Sequence, residues 1–405
     1  MKKTGKLLFV GILLVAWTVL CMSPVAEGAP VASSKELNFA INCWGLGSTI
    51  YTASLPIFDG VKQVSGIKVT VIPTTGSGAT RMLPCRDKKV QFFFATAGTN
   101  WFETVPLDVQ AVKEIGPQRA RVVWLGSPYY MGAGTRASSK IRALSDFKGK
   151  RFPYIPGYSS VNMGLKGTLA FAGLSDKDVI WVTVPSYGKA CEAVEDGTVD
   201  TFWFSNTTTS GYKLEGSPHG FYWPPYPPED KEGWARLRKY TPYMMPGLAK
   251  VGAGLSEKNP VWLEKYTSQI NTHDWLPEGD AYALCQAIDK AFPIFKDKHP
   301  FLIDYNINWL KEIEYVKSNG VPFHPGSIKY FKEKGFWTNE LEDWNNELLM
   351  IENERFKAWT VAPEAARKAG IEPYKVGEGT KWPEFWENFL RDWMKGKIKY
   401  SSWPF

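Results

Sequence analysis

The sequence predicts an α/β protein: two successive α/β units followed by a helical region. Three observations carry this expectation. Short apolar runs alternate with amphipathic segments through the first part of the chain. A turn rich in glycine, serine and threonine follows each of the first three runs, the order of strand, turn and helix that builds a mostly parallel sheet. From Pro260 onward the apolar residues recur at helical spacing. Composition narrows the classes further. With 405 residues, 44% hydrophobic and 22% charged, the chain has the apolar content to bury cores of its own. Its net charge of +7 is not gathered into runs, so a dedicated nucleic-acid binder is not expected. Five cysteines exclude a disulfide scaffold.

The first 28 residues read as a secretory signal. Lys2, Lys3 and Lys6 precede an uncharged, mostly apolar stretch, Leu7–Met22. Ser23, Pro24 and small residues up to Ala29 follow, with cleavage expected after Gly28. The run is shorter than the roughly 20 residues of a spanning helix. Lipid attachment at Cys21 is disfavoured by the bulky Leu20 before it. A mature, exported protein then keeps Cys43, Cys85, Cys191 and Cys285. These form up to two bridges or pack as small apolar residues.

In the first unit, Leu37–Cys43 reads as a buried strand ending in a turn of Gly45, Gly47, Ser48 and Thr49. Tyr51–Val64 is amphipathic, with Tyr51, Leu55, Phe58 and Val61 at helical spacing. Ile67–Ile72 is a second strand, Thr74–Gly78 its turn, and a short helix runs to Leu83. Gln91–Ala95 is a third strand, followed by Thr96, Ala97 and Gly98. The second unit follows the strand Arg121–Leu125 and a Gly-rich stretch, Met131–Thr135. It contains a strand at Arg151–Tyr154, a turn at Pro156–Ser160 and a helix at Val161–Phe171. The strand Val179–Val184, a helix at Lys189–Glu195 closed by Gly197, and the strand Thr201–Phe204 complete it. Ser217–Pro228 is a Pro/aromatic loop, read as a surface or lid loop or as a partner-binding segment. Helices are expected at Trp262–Ile270, Gly279–Ala291, Tyr305–Ser318 and Ser327–Lys334, and the last seventy residues form a Trp-rich helical layer.

The chemistry sits at the strand ends. In open α/β sheets ligands bind outside the carboxyl ends of the strands. A turn that opens a helix there presents unpaired N–H groups and the positive end of the helix dipole, which suits an anion. Ser48, Thr49, Thr75, Ser77, Thr96, Ser159 and Ser160 add hydroxyls, of which Ser48, Thr49, Ser77 and Ser159 also fit ordinary helix capping. Trp44, Tyr51, Tyr158, Tyr187 and Trp203 fall at or beside the same ends and supply either an aromatic wall or core. Asn206 is a further hydrogen-bonding candidate, or a turn residue. No basic residue lies within the turns, and Arg81 is one helical turn away, so backbone and hydroxyl groups are expected to hold a carboxylate. No cofactor or metal is expected. His219, His273, His299 and His324 are dispersed, with no HExxH and no nucleophile elbow, and Gly45/Gly47 lacks the third glycine of a dinucleotide fingerprint. An enzyme is therefore the weakest reading.

Six strings, in order across roughly three hundred residues, resemble the TAXI branch of TRAP-transporter substrate-binding proteins. They are Gly47-Ser48-Thr49-Ile50-Tyr51, Thr75-Gly76-Ser77-Gly78-Ala79, Leu144–Arg151 (LSDFKGKR), Gly157-Tyr158-Ser159-Ser160, Ala193–Trp203 (AVEDGTVDTFW) and Phe323–Tyr330 (FHPGSIKY). The resemblance implies a class II periplasmic-binding-protein fold of two hinged α/β lobes. Lobe I would span 36–132 and 262–335, lobe II 133–261, and residues 336–405 a helical extension. It implies a periplasmic protein that binds a small organic anion and delivers it to the membrane subunits of a TRAP permease. The alternative keeps the fold but serves an ABC transporter, with a pyrimidine- or sulfonate-like ligand. Pro84-Cys85-Arg86, the Pro/aromatic loop and the long C-terminal region depart from the family pattern.

Overall fold

The computed structural model describes residues 37–398. The expected signal segment and cleavage site lie outside the described residues. Among the described residues twelve strands are formed: β1 (Asn38–Cys43), β2 (Lys68–Pro73), β3 (Phe92–Thr96), β4 (Ala120–Leu125), β5 (Tyr129–Arg136), β6 (Arg151–Tyr154), β7 (Ile180–Thr183), β8 (Thr201–Ser205), β9 (Phe221–Tyr222), β10 (Met245–Ala249), β11 (Val261–Tyr266) and β12 (Ser268–His273).

The first sheet has the order β2-β1-β3-β12-β4. Its first three strands are parallel, and β12 enters antiparallel between β3 and β4. Every residue of β3 is buried, as expected for a central strand covered on both faces. Helices Thr49–Ser65 and Glu278–Phe295 pack together on this sheet. The second sheet, β10-β11-β5-β8 with β9 also on β5, is antiparallel. The parallel pair β6–β7 continues it beside β8, where Arg151 and Asp200 exchange backbone and side-chain bonds. Each sheet with its helices forms one lobe, in the two-lobe α/β arrangement.

The chain leaves the first sheet after Leu125 and enters the second at Tyr129; it returns through Thr267 alone, between β11 and β12. The helix expected over Trp262–Ile270 is therefore replaced by two strands. The spacing of Trp262, Leu263, Tyr266 and Ile270 fits a helix. Val261, Thr267 and Thr272 are nonetheless β-branched, and the two strands join ladders in different sheets. The lobe boundaries drawn at 132/133 and 261/262 move accordingly, to the segments 126–128 and Thr267.

The Gly-rich stretch Met131–Thr135 lies within strand β5. A Cβ on Gly134 would stand 2.7 Å from the Phe204 ring, so glycine there makes room for aromatic packing. The Pro/aromatic segment is not a lid. Phe221, Trp223 and Tyr226 are buried in the second lobe, and Trp223 Nε1 donates to the Ala253 carbonyl at 2.7 Å. The expected helix Tyr305–Ser318 is two short turns, Ile307–Lys311 and Ile313–Lys317. All four cysteines in the described residues are unpaired and buried. Burial pushes each thiol up to about 12, as expected of small side chains packed in an apolar core.

The C-terminal layer consists of a long helix, Asn339–Lys368, and a shorter one, Trp382–Met394. The long helix docks on β4 through Arg121, whose guanidinium donates to both carboxylate oxygens of Glu352 at 2.7 and 2.9 Å.

Candidate functional site

Polar side chains from the two lobes meet at the strand ends. After β1, Ser48 caps helix Thr49–Ser65 by accepting from the Tyr51 N–H at 3.2 Å. The next hydroxyl, on Thr49, is buried and faces the other lobe. It lies 3.2 Å from Ser205 Oγ at the end of β8 and 3.3 Å from Thr207 Oγ1 just beyond it. Tyr129, the first residue of β5, lies beside the same Ser205 and Thr49 hydroxyls. Thr96, at the end of β3, accepts from Thr99 N and lies beside Tyr266 of β11. Tyr266 continues into a row of aromatics. It lies 5.7 Å from Tyr129, 6.0 Å from Trp203 and 5.8 Å from Tyr243, which is 6.0 Å from Trp101.

Two further contacts join the lobes. Ser159 Oγ, at the start of helix Ser159–Phe171, donates to Asp108 Oδ2 at 2.7 Å. Gln110 Nε2 donates to the Gly157 carbonyl at 3.2 Å.

Charge is present close to the hydroxyls. The Arg81 side chain reaches back over the strand ends: Nε donates to the Phe94 carbonyl at 3.2 Å, and the guanidinium carbon sits 3.8 Å over the Trp44 ring. Arg81 is 2% exposed, and its Nη1 has no hydrogen-bond partner among the described residues. This corrects the expectation that basic groups stay outside the site. Glu103 accepts from the Gly78 N–H at 3.0 Å, and burial pushes its carboxyl up to about 8 against the pull of Arg81. Glu264 on β11 accepts from Trp203 Nε1 at 2.9 Å; burial likewise raises it to about 8. Among the described residues, one carboxyl oxygen of each glutamate is buried without a partner, as is the Tyr243 hydroxyl, which both glutamates influence electrostatically.

The structure thus brings together Trp44, Thr49, Thr96, Trp203 and the turn residues Tyr158, Ser159 and Ser160, the last beside Gly98 of the first lobe. Ser48 and Tyr51 form the capping contact, the plainer of the two readings given above. Tyr187 supports the end of β8 from behind, its hydroxyl donating to the Trp203 carbonyl at 3.2 Å and accepting from Ser205 N at 3.3 Å. The Asn206 amide donates to the Val251 carbonyl at 2.6 Å and so ties down a neighbouring loop. Thr75 is exposed and Ser77 half-buried; Glu103, and not the Ser77 hydroxyl, takes the Gly78 N–H.

Sequence reasoning missed Tyr129, Ser205, Thr207, Tyr243, Tyr266, Arg81, Glu103, Glu264 and Asp108. Ser205 and Thr207 were findable by the strand-end rule, because they follow the expected strand Thr201–Phe204 directly. No group of three or more His, Cys, Asp or Glu is arranged for a metal among the described residues. A cavity of about 490 Å³ lies elsewhere, between helix Pro325–Glu333 and the long C-terminal helix, and holds none of the hydroxyl cluster.

The sequence pattern of the NMT1-like family matches residues 61–335. The chain belongs to the NMT1-like family. The matched stretch contains β2 to β12, both crossings between the sheets and every residue of the cluster except Trp44 and Thr49; it ends where the C-terminal helical layer begins. No curated protein is similar to the chain in sequence. Among solved structures, the chain is similar to the periplasmic binding protein BugD (11% identity, 74% of this chain and 98% of that one, TM-score 0.48). It is also similar to a periplasmic transporter (13% identity, 84% and 99%, TM-score 0.46). A third is the alkanesulfonate-binding protein SsuA from Xanthomonas axonopodis pv. citri bound to MOPS (14% identity, 84% and 95%, TM-score 0.40).

Proposed function

We propose that this protein is the solute-binding component of a membrane importer, acting outside the cytoplasmic membrane and closing its two lobes on a small organic anion. The observation that carries this reading is the meeting of Thr49 from one lobe with Ser205 and Thr207 from the other at the strand ends. A ligand seated there touches both lobes only when they close, so its binding free energy favours the closed state. No bond is made or broken; the work is capture and release. Arg81 supports an anionic ligand, since a guanidinium with a free N–H favours a carboxylate or a similar acceptor. The row Tyr129, Tyr266, Tyr243 and Trp101 supports an apolar or aromatic body behind it.

The six TAXI-like strings support a carboxylate and a TRAP permease as the partner. A second reading is favoured by the donor set itself. Clustered hydroxyls and one guanidinium suit the three oxygens of a sulfonate equally well, which supports an ABC-type importer. A thermal-shift and calorimetric screen of amino acids, dicarboxylates, keto acids, aromatic acids and alkanesulfonates tests both. A bound carboxylate or sulfonate that Thr49→Ala and Ser205→Ala each weaken is the expected result, and no binder in either class sinks the anion claim. Neighbouring genes for a large and a small TRAP subunit, against an ATPase, decide the permease.

A further inference from the structure

We propose that the helical layer beyond residue 335 positions the latch between the lobes, with Trp382 and Trp386 as its positioning residues. The layer lies outside the stretch that matches the NMT1-like pattern, so the binding fold itself does not account for it. Its last helix turns one stripe inward: Trp382, Trp386, Leu390 and Met394, spaced four apart and all buried.

Two of these residues carry a donor on a rigid ring. Trp382 Nε1 donates to the Ala111 carbonyl at 2.6 Å, and Trp386 Nε1 to the Val105 carbonyl at 3.4 Å. The two carbonyls mark the ends of a single loop, 105–111. The middle of that loop makes both contacts already described with the second lobe's glycine turn. Asp108 accepts from Ser159 Oγ, and Gln110 donates to the Gly157 carbonyl. Asp108 has a φ of 52°, in the left-handed region that a side chain disfavours, so its surroundings must hold it there.

The indole rings are fixed in turn. Trp359 of the long helix packs 5.7 Å from Trp382 and 4.8 Å from Trp386, and Glu352 of the same helix is bound to Arg121 of β4. A continuous series of contacts therefore runs from the first sheet through the extension to the loop, and from the loop to the other lobe. The role goes beyond ligand capture and depends on no particular ligand.

Hydrogen–deuterium exchange on the full ligand-free chain tests it. Trp382→Phe and Trp386→Phe keep an aromatic ring and remove the N–H together with the rest of the indole's five-membered ring. Each is expected to speed exchange in 104–112 and also in 157–162 of the other lobe, on the order of fivefold for one lost hydrogen bond. Ser159→Ala should speed 157–162 and leave 382–394 unchanged, while Ser159→Thr keeps the hydroxyl and restores the wild-type rate. Faster exchange confined to 104–112, or no change in either segment, overturns the proposal. Should both Trp variants fail to fold, Asp108→Ala at its half-buried loop position decides: unchanged exchange in 157–162 rejects the latch.

Discussion

Arg81 is buried, stacked on Trp44, and holds an Nη1 that donates to no group among the described residues. Such a group is costly to bury unless a partner comes to it. If the partner is the captured anion, Arg81→Met lowers affinity for the carboxylate or sulfonate found in the screen about 10- to 100-fold, the weight of a charge-assisted bond. Arg81→Lys keeps the charge without the planar stack and falls between. Calorimetry measures both, and unchanged affinity in Arg81→Met makes the residue structural. Glu103 and Glu264 set a pH dependence whose sign is fixed. Each ionises near 4.5 in the unfolded chain and near 8 when folded. Between those values the unfolded chain has released protons that the folded one retains, so stability falls as pH rises from about 5 to about 8. His273 acts on the other side. Burial first, then Arg86 and Arg121, lower it from 6.5 to about 3, so its contribution is lost as pH falls through that window. Thermal melts across pH 4–9 should therefore peak on the acid side of neutrality. Glu264→Gln, which keeps an acceptor for Trp203, should flatten the alkaline limb; an unchanged limb would mean that Glu264 is not protonated in the folded state.

At the scale of elements, the docking of the long C-terminal helix rests on charge as well as packing. Glu352 is buried and shared by Arg121 and, at 3.2 Å, Arg119. Arg355, one helical turn on, is buried too, and burial lowers its guanidinium to about 10, with Glu352 opposing. Glu352→Ala strands two buried cations and should cost about 3–5 kcal/mol, read from denaturant melts. Glu352→Gln keeps hydrogen-bonding capacity and should cost less. A loss under about 1 kcal/mol in both variants, the surface-pair range, would show the helix held by its apolar face alone. The elements differ in how plainly the sequence shows them. β1, β2 and β3 are legible because each apolar run is bounded by a glycine turn that nothing else explains. β11 and β12 are not, because one residue separates them and their apolar spacing also fits a helix; only partners distant in sequence decide between the two. The same holds for Arg81. Its helix is legible, but the reach of its side chain back to Phe94 and Trp44 depends on how three strand ends are brought side by side.

At the scale of the whole molecule, the second lobe is an insertion into the first, entered through 126–128 and left through Thr267. The two crossings are bonded to one another: Ser268 Oγ donates to the Ser127 carbonyl at 2.8 Å, and Gly126 N to the Ser268 carbonyl at 2.8 Å. Paired crossings of this kind let two rigid bodies rotate together while a few residues absorb the change. If the lobes close on a ligand as proposed, the hydroxyl contacts between them belong to the closed arrangement, and their energetic coupling reports closure. Thr49→Ala and Ser205→Ala lie in different lobes and different sheets, so in an open molecule their effects on ligand affinity should simply add. In a molecule that closes as drawn they share one contact, 3.2 Å long, and the double variant should lose less than the sum. The expected coupling is about 0.5–1.5 kcal/mol, that of a buried hydrogen bond. It is measured as affinity for the ligand from the screen across wild type, both single variants and the double. Strict additivity would mean that the ligand-bound lobes never bring Thr49 and Ser205 together, and that capture takes place in one lobe alone.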